Sequence, residues 1–454
     1  MKKILTLLLA LWMLTGCVAM AAENQLVVGS TTAMSGAFFT DLFGSNTADM
    51  DVRALLHGYN LMSWDNETGT YQINDSVVAG MAVSKDAQNN RVYTFDLYGD
   101  LKFSDGSAIT AKDYAFSILL TASPELAKLG GQSAAVGAIL GMDAYQSGKS
   151  SVLRGVRLLS DTQMSITISK AYEPYFYEMA LFDYSPYPIS VLAPGCKVVD
   201  TEKGVGIVNA SGTGDALFTA DLLQKTILDA ATGYMSHPSV VSGPYTLTSY
   251  DAQRGTASFA INPYYKGNED GEKPTIETIV YRSVANDEAI DLLLSGEVDL
   301  LNKMVAADTI SKGIQSTADQ PFSVANYPRS GLSMISFSCE RQTVSSKAVR
   351  QAIASCFDRD ALVKAYTGNF GLKANGYFGI GQWMYQLTAG TIQPPVVDLP
   401  ANATAKETAA YEKTVAQWDA LSLDKLKDYP LDLDQAAKLL DQDEWRIGKD
   451  GIRA

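Results

Sequence analysis

Apolar and polar positions alternate over short stretches of this chain and give way to helical spacing elsewhere. Tyr93, Phe95 and Leu97 interleave with Val92, Thr94 and Asp96, the two-residue period of a strand with one buried face. Residues 25–29 read as a first strand running into a turn, followed by a Gly/Ser/Thr/aromatic loop over 30–45. Phe103-Ser104-Asp105-Gly106-Ser107 supplies a further turn. Thr110-Ala111-Lys112-Asp113 then forms a capping box ahead of Tyr114, Ala115, Ile118 and Leu119, which predicts a helix. A second mixed region opens at Ser242-Gly243-Pro244-Tyr245, with strands expected over 256–261 and 275–281. A short helix follows, with Asp287 as N-cap, Ile290, Leu293 and Leu294 facing inward, and Gly296 at its end. Val349, Ala352, Ile353 and Cys356 recur at i, i+3, i+4 and i+7, the clearest amphipathic helix in the sequence. Asp358 caps a shorter helix carrying Leu362 and Val363. Residues 391–428 read as a surface excursion, and 434–440 as a last helix. Strands alternating with helices, without internal repeats, predict an α/β protein.

The first residues follow another logic. Met1-Lys2-Lys3 is a basic start, and residues 4–14 are an apolar run too short to span a bilayer but fit for the core of an export signal. Leu14-Thr15-Gly16-Cys17 follows and resembles a bacterial lipobox, in which the cysteine is lipidated and becomes the new N-terminus. Ordinary cleavage after Ala19-Met20-Ala21 is the alternative, and Cys17 separates the two readings. More than one acyl chain at Cys17 would hold the protein stably on a membrane face. No later segment approaches 18 uninterrupted apolar residues, so the mature body is expected to be a soluble domain on a tether.

Composition narrows the chemistry. The 454 residues suffice for about three domains, and 46% hydrophobic against 19% charged residues is an ordinary globular balance. Thirty-six basic against 50 acidic residues give a net charge of -14, a surface that repels phosphates and argues against nucleic acid as a partner. With two histidines in the chain, His57 and His237, neither beside a motif partner, both are expected to be structural, hydrogen-bonded residues. Gly148-Lys149-Ser150 lacks the spacing of a phosphate loop. Asn268, Asp270, Gly271 and Glu277 match part of a calcium loop whose first ligand position would be Lys266, a cation. Asp299 with Glu297 is the kind of acidic pair that chance supplies, so no catalytic residue, metal or cofactor is assigned. Cys196, Cys339 and Cys356 show no C-x-x-C spacing. The last two are expected as buried free thiols, although an exported protein also permits their pairing.

Five blocks in order then carry a resemblance. They are Tyr93-Thr94-Phe95 through Phe103-Ser104-Asp105-Gly106 and Thr110-Ala111-Lys112-Asp113; Ser242-Gly243-Pro244-Tyr245 with Asn262-Pro263-Tyr264-Tyr265; Gly296-Glu297-Val298-Asp299-Leu300; Val349-Arg350-Gln351-Ala352-Ile353 with Phe357-Asp358-Arg359; and Ala437-Lys438-Leu439-Leu440 with Trp445. Behind a lipobox, this series resembles the extracellular solute-binding proteins of family 5, the peptide-binding components of ABC importers. Two departures stand out: Phe337 is followed by Ser338 where the family carries Asn, and Glu444 precedes Trp445 where the family carries Gly.

The resemblance implies an α/β fold of two lobes (periplasmic-binding-protein-like, type II) with an extra domain. Residues 1–21 would be the signal region, 24–58 and 185–284 the first lobe, 59–184 the inserted domain, and 285–454 a second lobe. Members continue past the point where this chain stops, so the second lobe is expected to be incomplete, with an unpaired edge. The Asp that commonly anchors a peptide α-amino group in the family belongs to that part, and no residue here is assigned to it. Residues 281–285 are expected as hinge material.

The implied function is non-catalytic: a peptide held by its backbone between lobes and handed to ABC permease subunits, by a monomer lipid-anchored on the cell membrane and facing the periplasm or exterior. Strand-like edges pair the ligand's main chain while roomy pockets accept its side chains. Thr31, Thr32, Phe38 and Phe39 in the loop after the first strand are candidate ligand contacts, as are Tyr327, Arg329, Trp383 and Tyr385. Arg329 suits a ligand carboxylate through a bidentate pair. For each of these residues a turn, core or surface role is the competing reading. A nickel complex or an oligosaccharide is the alternative ligand, with the scarcity of histidine weighing against nickel. An exported hydrolase or a surface scaffold is the rival class.

Overall fold

A computed structural model describes residues 24–65, 70–132, 137–172, 178–317, 321–327, 331–368, 370–392, 399 and 403–453. Two compact units divide the chain. One comprises residues up to Ser63 together with Tyr71–Lys303, the other Trp64–Thr70 and the residues from Met304 onward.

The first unit is organised around a five-stranded sheet in the order Tyr245–Asp251, Thr256–Ile261, Thr278–Ser283, Gln25–Ser30, Leu300–Asn302. Gln25–Ser30 lies between two parallel neighbours, Val27 opposite Val280 and Val28 opposite Leu300, and the other two strands pair antiparallel. Helix Thr47–Leu56 covers one face. Ala48, Val52 and Leu56 recur every four residues and are fully buried with Val28, Phe259 and Tyr281. The helix starts at Asn46, whose side chain accepts from the Ala48 and Asp49 amides, while Asp49 returns a bond to the Asn46 N–H.

A second apolar core in the same unit is built on helix Ala111–Thr121. Tyr114, Ala115, Phe116, Ile118, Leu119 and Leu120 are all fully buried. This helix is apolar nearly all round because strands and loops enclose it. An antiparallel sheet in the order Val78–Lys85, Arg91–Leu97, Gln163–Ile168, Val156–Leu158 contributes Tyr93, Phe95 and Leu97, the alternating residues of the sequence, to that core. Phe38 and Phe39 are neighbours that enter different cores. Phe38 packs edge-on to Tyr250 at 4.6 Å, whereas Phe39 meets Tyr187 at 4.7 Å and Tyr234 at 5.0 Å.

From Met304 onward the regular elements of the second unit are helices among the described residues, apart from an isolated bridge between Ile447 and Arg453. Lys347–Ser355 packs on Leu433–Gln442, tied by the Asp432 N–H to the Ser355 carbonyl at 2.8 Å and by Gln351 Nε2 to Tyr429 Oη at 2.9 Å. Among the described residues its buried apolar side chains are four: Val349, Ala352, Leu387 and Ala436. No strand forms among the described residues of 321–327 and 331–337, and Met334 and Ile335 stand more than half exposed. A strand needs a hydrogen-bonded neighbour, and the described residues supply none there.

Several local expectations change. The helix expected after Asp287 begins one residue later, with Glu288 as its N-cap. Leu294 at its end faces solvent, because Ala289 and Ile290 already fill the buried side of a six-residue helix. Cys339 and Cys356 are free but exposed, and among the described residues only Cys196 is a buried thiol. Cys356 falls on the C-cap of its helix, where the seam of Val349 and Ala352 has ended. The excursion over 391–428 contains a 15-residue helix, Ala405–Asp419, started by a Thr404/Glu407 capping box. Residues 281–283 close a strand inside the first unit, and the chain enters the second unit after Lys303.

Candidate functional site

In an α/β sheet, ligands meet the carboxyl ends of parallel strands, where the chain leaves into loops and backbone groups come free of the ladder. Three such ends lie side by side in the first unit: Ser30, Ser283 and Asn302, with Ser30 in register with the other two. Ser30 Oγ accepts from the Thr32 N–H at 3.2 Å and donates to the Thr32 carbonyl at 3.1 Å, turning the chain sharply out of the sheet. Thr32 Oγ1 then receives the Thr47 hydroxyl at 3.3 Å.

Helix Thr47–Leu56 presents Asp51 to this rim. Oδ2 of Asp51 accepts from the Tyr281 hydroxyl and from Asn302 Nδ2, both at 2.8 Å, and Oδ1 is paired with the Lys303 ammonium. Burial raises the Tyr281 hydroxyl above its ordinary value, and the Asp51 charge pushes the same way, so Tyr281 acts as a donor. Lys303 takes a left-handed backbone, φ 56°, a conformation that costs a lysine about 1 kcal/mol and is held by its ion pair. The Lys303 side chain remains 31% exposed. On the far side of Gln25–Ser30 from Lys303, the hydroxyl of Ser283 is buried without a hydrogen-bond partner.

The loop between Ser30 and Asn46 is stapled from beneath. Asp49, fully buried, accepts from the Ser35 N–H at 2.8 Å, the Ser35 hydroxyl at 2.6 Å and the Gly36 N–H at 3.2 Å. Arg53 Nη1 donates to the Ala37 carbonyl and to Ser45 Oγ, each at 2.8 Å. An open pocket of about 520 Å³ is lined in part by this loop, with Ser35, Phe43, Asn46, Asp229 and Met235 among its walls.

The expected contacts fall into distinct places. Thr31 and Thr32 are half-buried at the rim. Phe38 and Phe39 are core residues, and their rings are not open to a ligand in this structure. Tyr327 is 59% exposed in an extended stretch of the second unit, and Tyr385 is half-buried on helix Trp383–Thr388, which also carries Trp383. Arg329 and Cys17 lie outside the described residues. Asp51, Asn302 and Lys303 were not singled out by the sequence, and Tyr281 only as the start of the expected hinge. The available signal was the position of Asn302 and Lys303, one residue beyond Gly296-Glu297-Val298-Asp299-Leu300.

The groups considered for chemistry are engaged structurally. His57 Nε2 meets the Phe38 carbonyl at 3.0 Å among Phe39, Tyr187 and Tyr234, and burial pushes its imidazole down to about 4. His237 Nδ1 is 3.0 Å from Ser236 Oγ. Asp299 exchanges two 2.8 Å bonds with Val27, through its side chain and its backbone, and so fastens Leu300–Asn302 to the first strand. Glu297 lies 3.9 Å from Arg282.

The sequence model for bacterial extracellular solute-binding proteins, family 5, matches residues 76–454. The chain belongs to this family. Among family 5 relatives, the oligopeptide-binding protein OppA of Lactococcus lactis subsp. lactis (strain IL1403) is 25% identical over 384 residues, covering 82% of this chain and 52% of that protein. The chain thus spans about half the length of the curated relatives it matches first. A solved structure of lactococcal OppA, closed on an endogenous peptide, aligns with TM-score 0.59 at 17% identity over 95% of this chain and 70% of that one. NikZ from Campylobacter jejuni, in complex with Ni(L-His), aligns with TM-score 0.57 at 15% identity over 95% and 65%. At such identities the likeness shows the fold, that of two-lobed α/β binding proteins. Family 5 members are extracellular or periplasmic, and no helix among the described residues is long and apolar enough to cross a membrane.

Proposed function

We propose that this chain is the solute-binding component of an ABC importer, that its ligand is a peptide, and that it passes the peptide unchanged to permease subunits. Membership of family 5 carries the reading. The relatives named as oligopeptide-binding proteins favour a peptide over the nickel complex of NikZ or an oligosaccharide. The rim of the first unit supports it as well. Its polar groups are a saturated carboxylate, hydroxyls and an ammonium, a set that binds and orients without a nucleophile beside a free base. In this reading 24–58 and 185–284 are the first lobe, 59–184 the inserted domain and 285–454 the second lobe, except that residues up to Lys303, with strand Leu300–Asn302, pack in the first unit. The ligand contacts in that second part are Tyr327, Arg329, Trp383 and Tyr385, and the protein works as a monomer.

Incubation with a mixed peptide pool, followed by gel filtration and mass spectrometry, tests the function. Intact peptides retained with the protein are the expected result. Cleaved peptides would make it an enzyme, and no retention would remove the peptide reading. The lipid anchor at Cys17 has its own test: Cys17→Ser moves the protein from the membrane to the soluble fraction on cell fractionation with an unchanged circular dichroism spectrum, and continued membrane partition of the variant refutes lipidation.

A further inference from the structure

Hydrogen-bonding capacity at the strand-end rim is unevenly spent. Asp51 has both oxygens occupied, by the Tyr281 hydroxyl, Asn302 Nδ2 and the Lys303 ammonium, so it has little left to offer a cation. An ammonium carries three N–H donors, and Asp51 takes one from Lys303. Lys303 is exposed enough to be reached and is held in place at both ends, by its left-handed backbone and by the ion pair. What this rim lacks is an acceptor.

We infer that Lys303 receives a carboxylate of the bound peptide, with Asp51 as the positioning residue that aims the ammonium. The inference rests on the peptide-binding reading and assigns that site one ligand group. An entering carboxylate would bond the two remaining Lys303 N–H groups while Asp51 stays paired. The cluster then carries two carboxylates against one ammonium, with the Tyr281 and Asn302 donors spreading the charge of the inner one. A ligand ammonium at the same place would face Lys303 at like charge and find the Asp51 oxygens taken. The carboxylate has two sources in a peptide, the C-terminus and an acidic side chain.

Three synthetic pentapeptide pools separate these sources: a mixed pool with free C-termini, the same pool amidated, and a free-acid pool lacking Asp and Glu. Retention of each is measured by gel filtration and mass spectrometry on the full chain and on Lys303→Met. Selection by the wild type of the free-acid pool over the amidated one, by about ten-fold and erased in Lys303→Met, assigns the C-terminus. Selection for acidic peptides, erased in the same variant, assigns the side chain. The double variant Asp51→Asn/Lys303→Met leaves no unpaired buried charge and is expected to lose the same discrimination, which separates a binding effect from misfolding. Peptides retained without either discrimination, or with a discrimination that survives both variants, overturn the role of Lys303 and leave the peptide reading standing. A wild type that retains no peptide overturns both.

Discussion

Gly243 shows how a motif residue acts through the backbone. A Cβ built there would sit 2.5 Å from the Leu55 carbonyl oxygen and 2.5 Å from the Leu56 carbonyl carbon, atoms of a helix end that cannot rotate away. The approach is close because the Gly243 N–H donates to the Leu56 carbonyl at 2.8 Å, while Ser242 Oγ accepts from the Gly58 N–H at 3.1 Å and donates to its carbonyl at 3.0 Å. Asn262 Nδ2 donates to the Gly243 carbonyl at 2.8 Å. Blocks that are far apart in sequence, Ser242-Gly243-Pro244-Tyr245 and Asn262-Pro263-Tyr264-Tyr265, thus meet at the end of helix Thr47–Leu56. Gly243→Ala is expected to cost about 3 kcal/mol, the upper end for overpacking, because backbone has to move. Urea denaturation followed by tryptophan fluorescence measures it, and a midpoint within error of the wild type would show that the helix end yields freely.

At the scale of elements, local signals were legible and long-range ones were not. The capping box at Thr110 and Asp113 and the alternation at Tyr93, Phe95 and Leu97 are written in consecutive residues, and both appear as read. Helix Thr47–Leu56 went unread because its box uses Asn46 and Asp49 in place of Ser or Thr with Glu, and its buried stripe of Ala48, Val52 and Leu56 is only one residue wide. The strand-end cluster joins Asp51 to residues 230, 251 and 252 positions away, which no window of sequence contains. The legible box also has a pH consequence. Burial pushes the Asp113 carboxyl up to about 6, against the Thr110 N–H and hydroxyl bonds that pull it down. The folded state therefore holds this proton more tightly than the unfolded chain, whose carboxyl titrates near 4. Ionisation costs stability as pH rises from about 4 to 6, by up to about 1.4 kcal/mol per pH unit, and below that window the penalty is absent. Asp113→Asn removes the titration. Its urea stability should be flatter than that of the wild type across this range, and parallel curves would mean that the bonds from Thr110 outweigh the burial.

Over the whole molecule, apolar burial is distributed very unequally. In the first unit two cores hold side chains such as Tyr114, Phe95, Phe182 and Phe259 with at most 1% of their surface exposed, whereas the second buries only Val349, Ala352, Leu387 and Ala436 among its described apolar residues. Tyr366, Leu372, Tyr377 and Leu433 each leave more than 60% of their surface in solvent. Burial is worth about 25 cal/mol per Å² of apolar area, so the free energy opposing local opening is concentrated in the first unit. Hydrogen exchange read by mass spectrometry should reflect this. Amides of Ala111–Thr121 and of the strand Gln25–Ser30 are expected to exchange only through global unfolding, and those of Ala405–Asp419, a helix without a buried residue, within seconds to minutes. The helix pair Lys347–Ser355 and Leu433–Gln442 should fall between, since it contains three of the four buried apolar side chains described there. Addition of a retained peptide then becomes informative in the second unit above all: a ligand stabilises what it binds by mass action, and the least stable backbone has the most protection to gain. Equal protection of both units without ligand would mean that exposed surface in the second is covered in solution, and the ordering argued from burial would not hold.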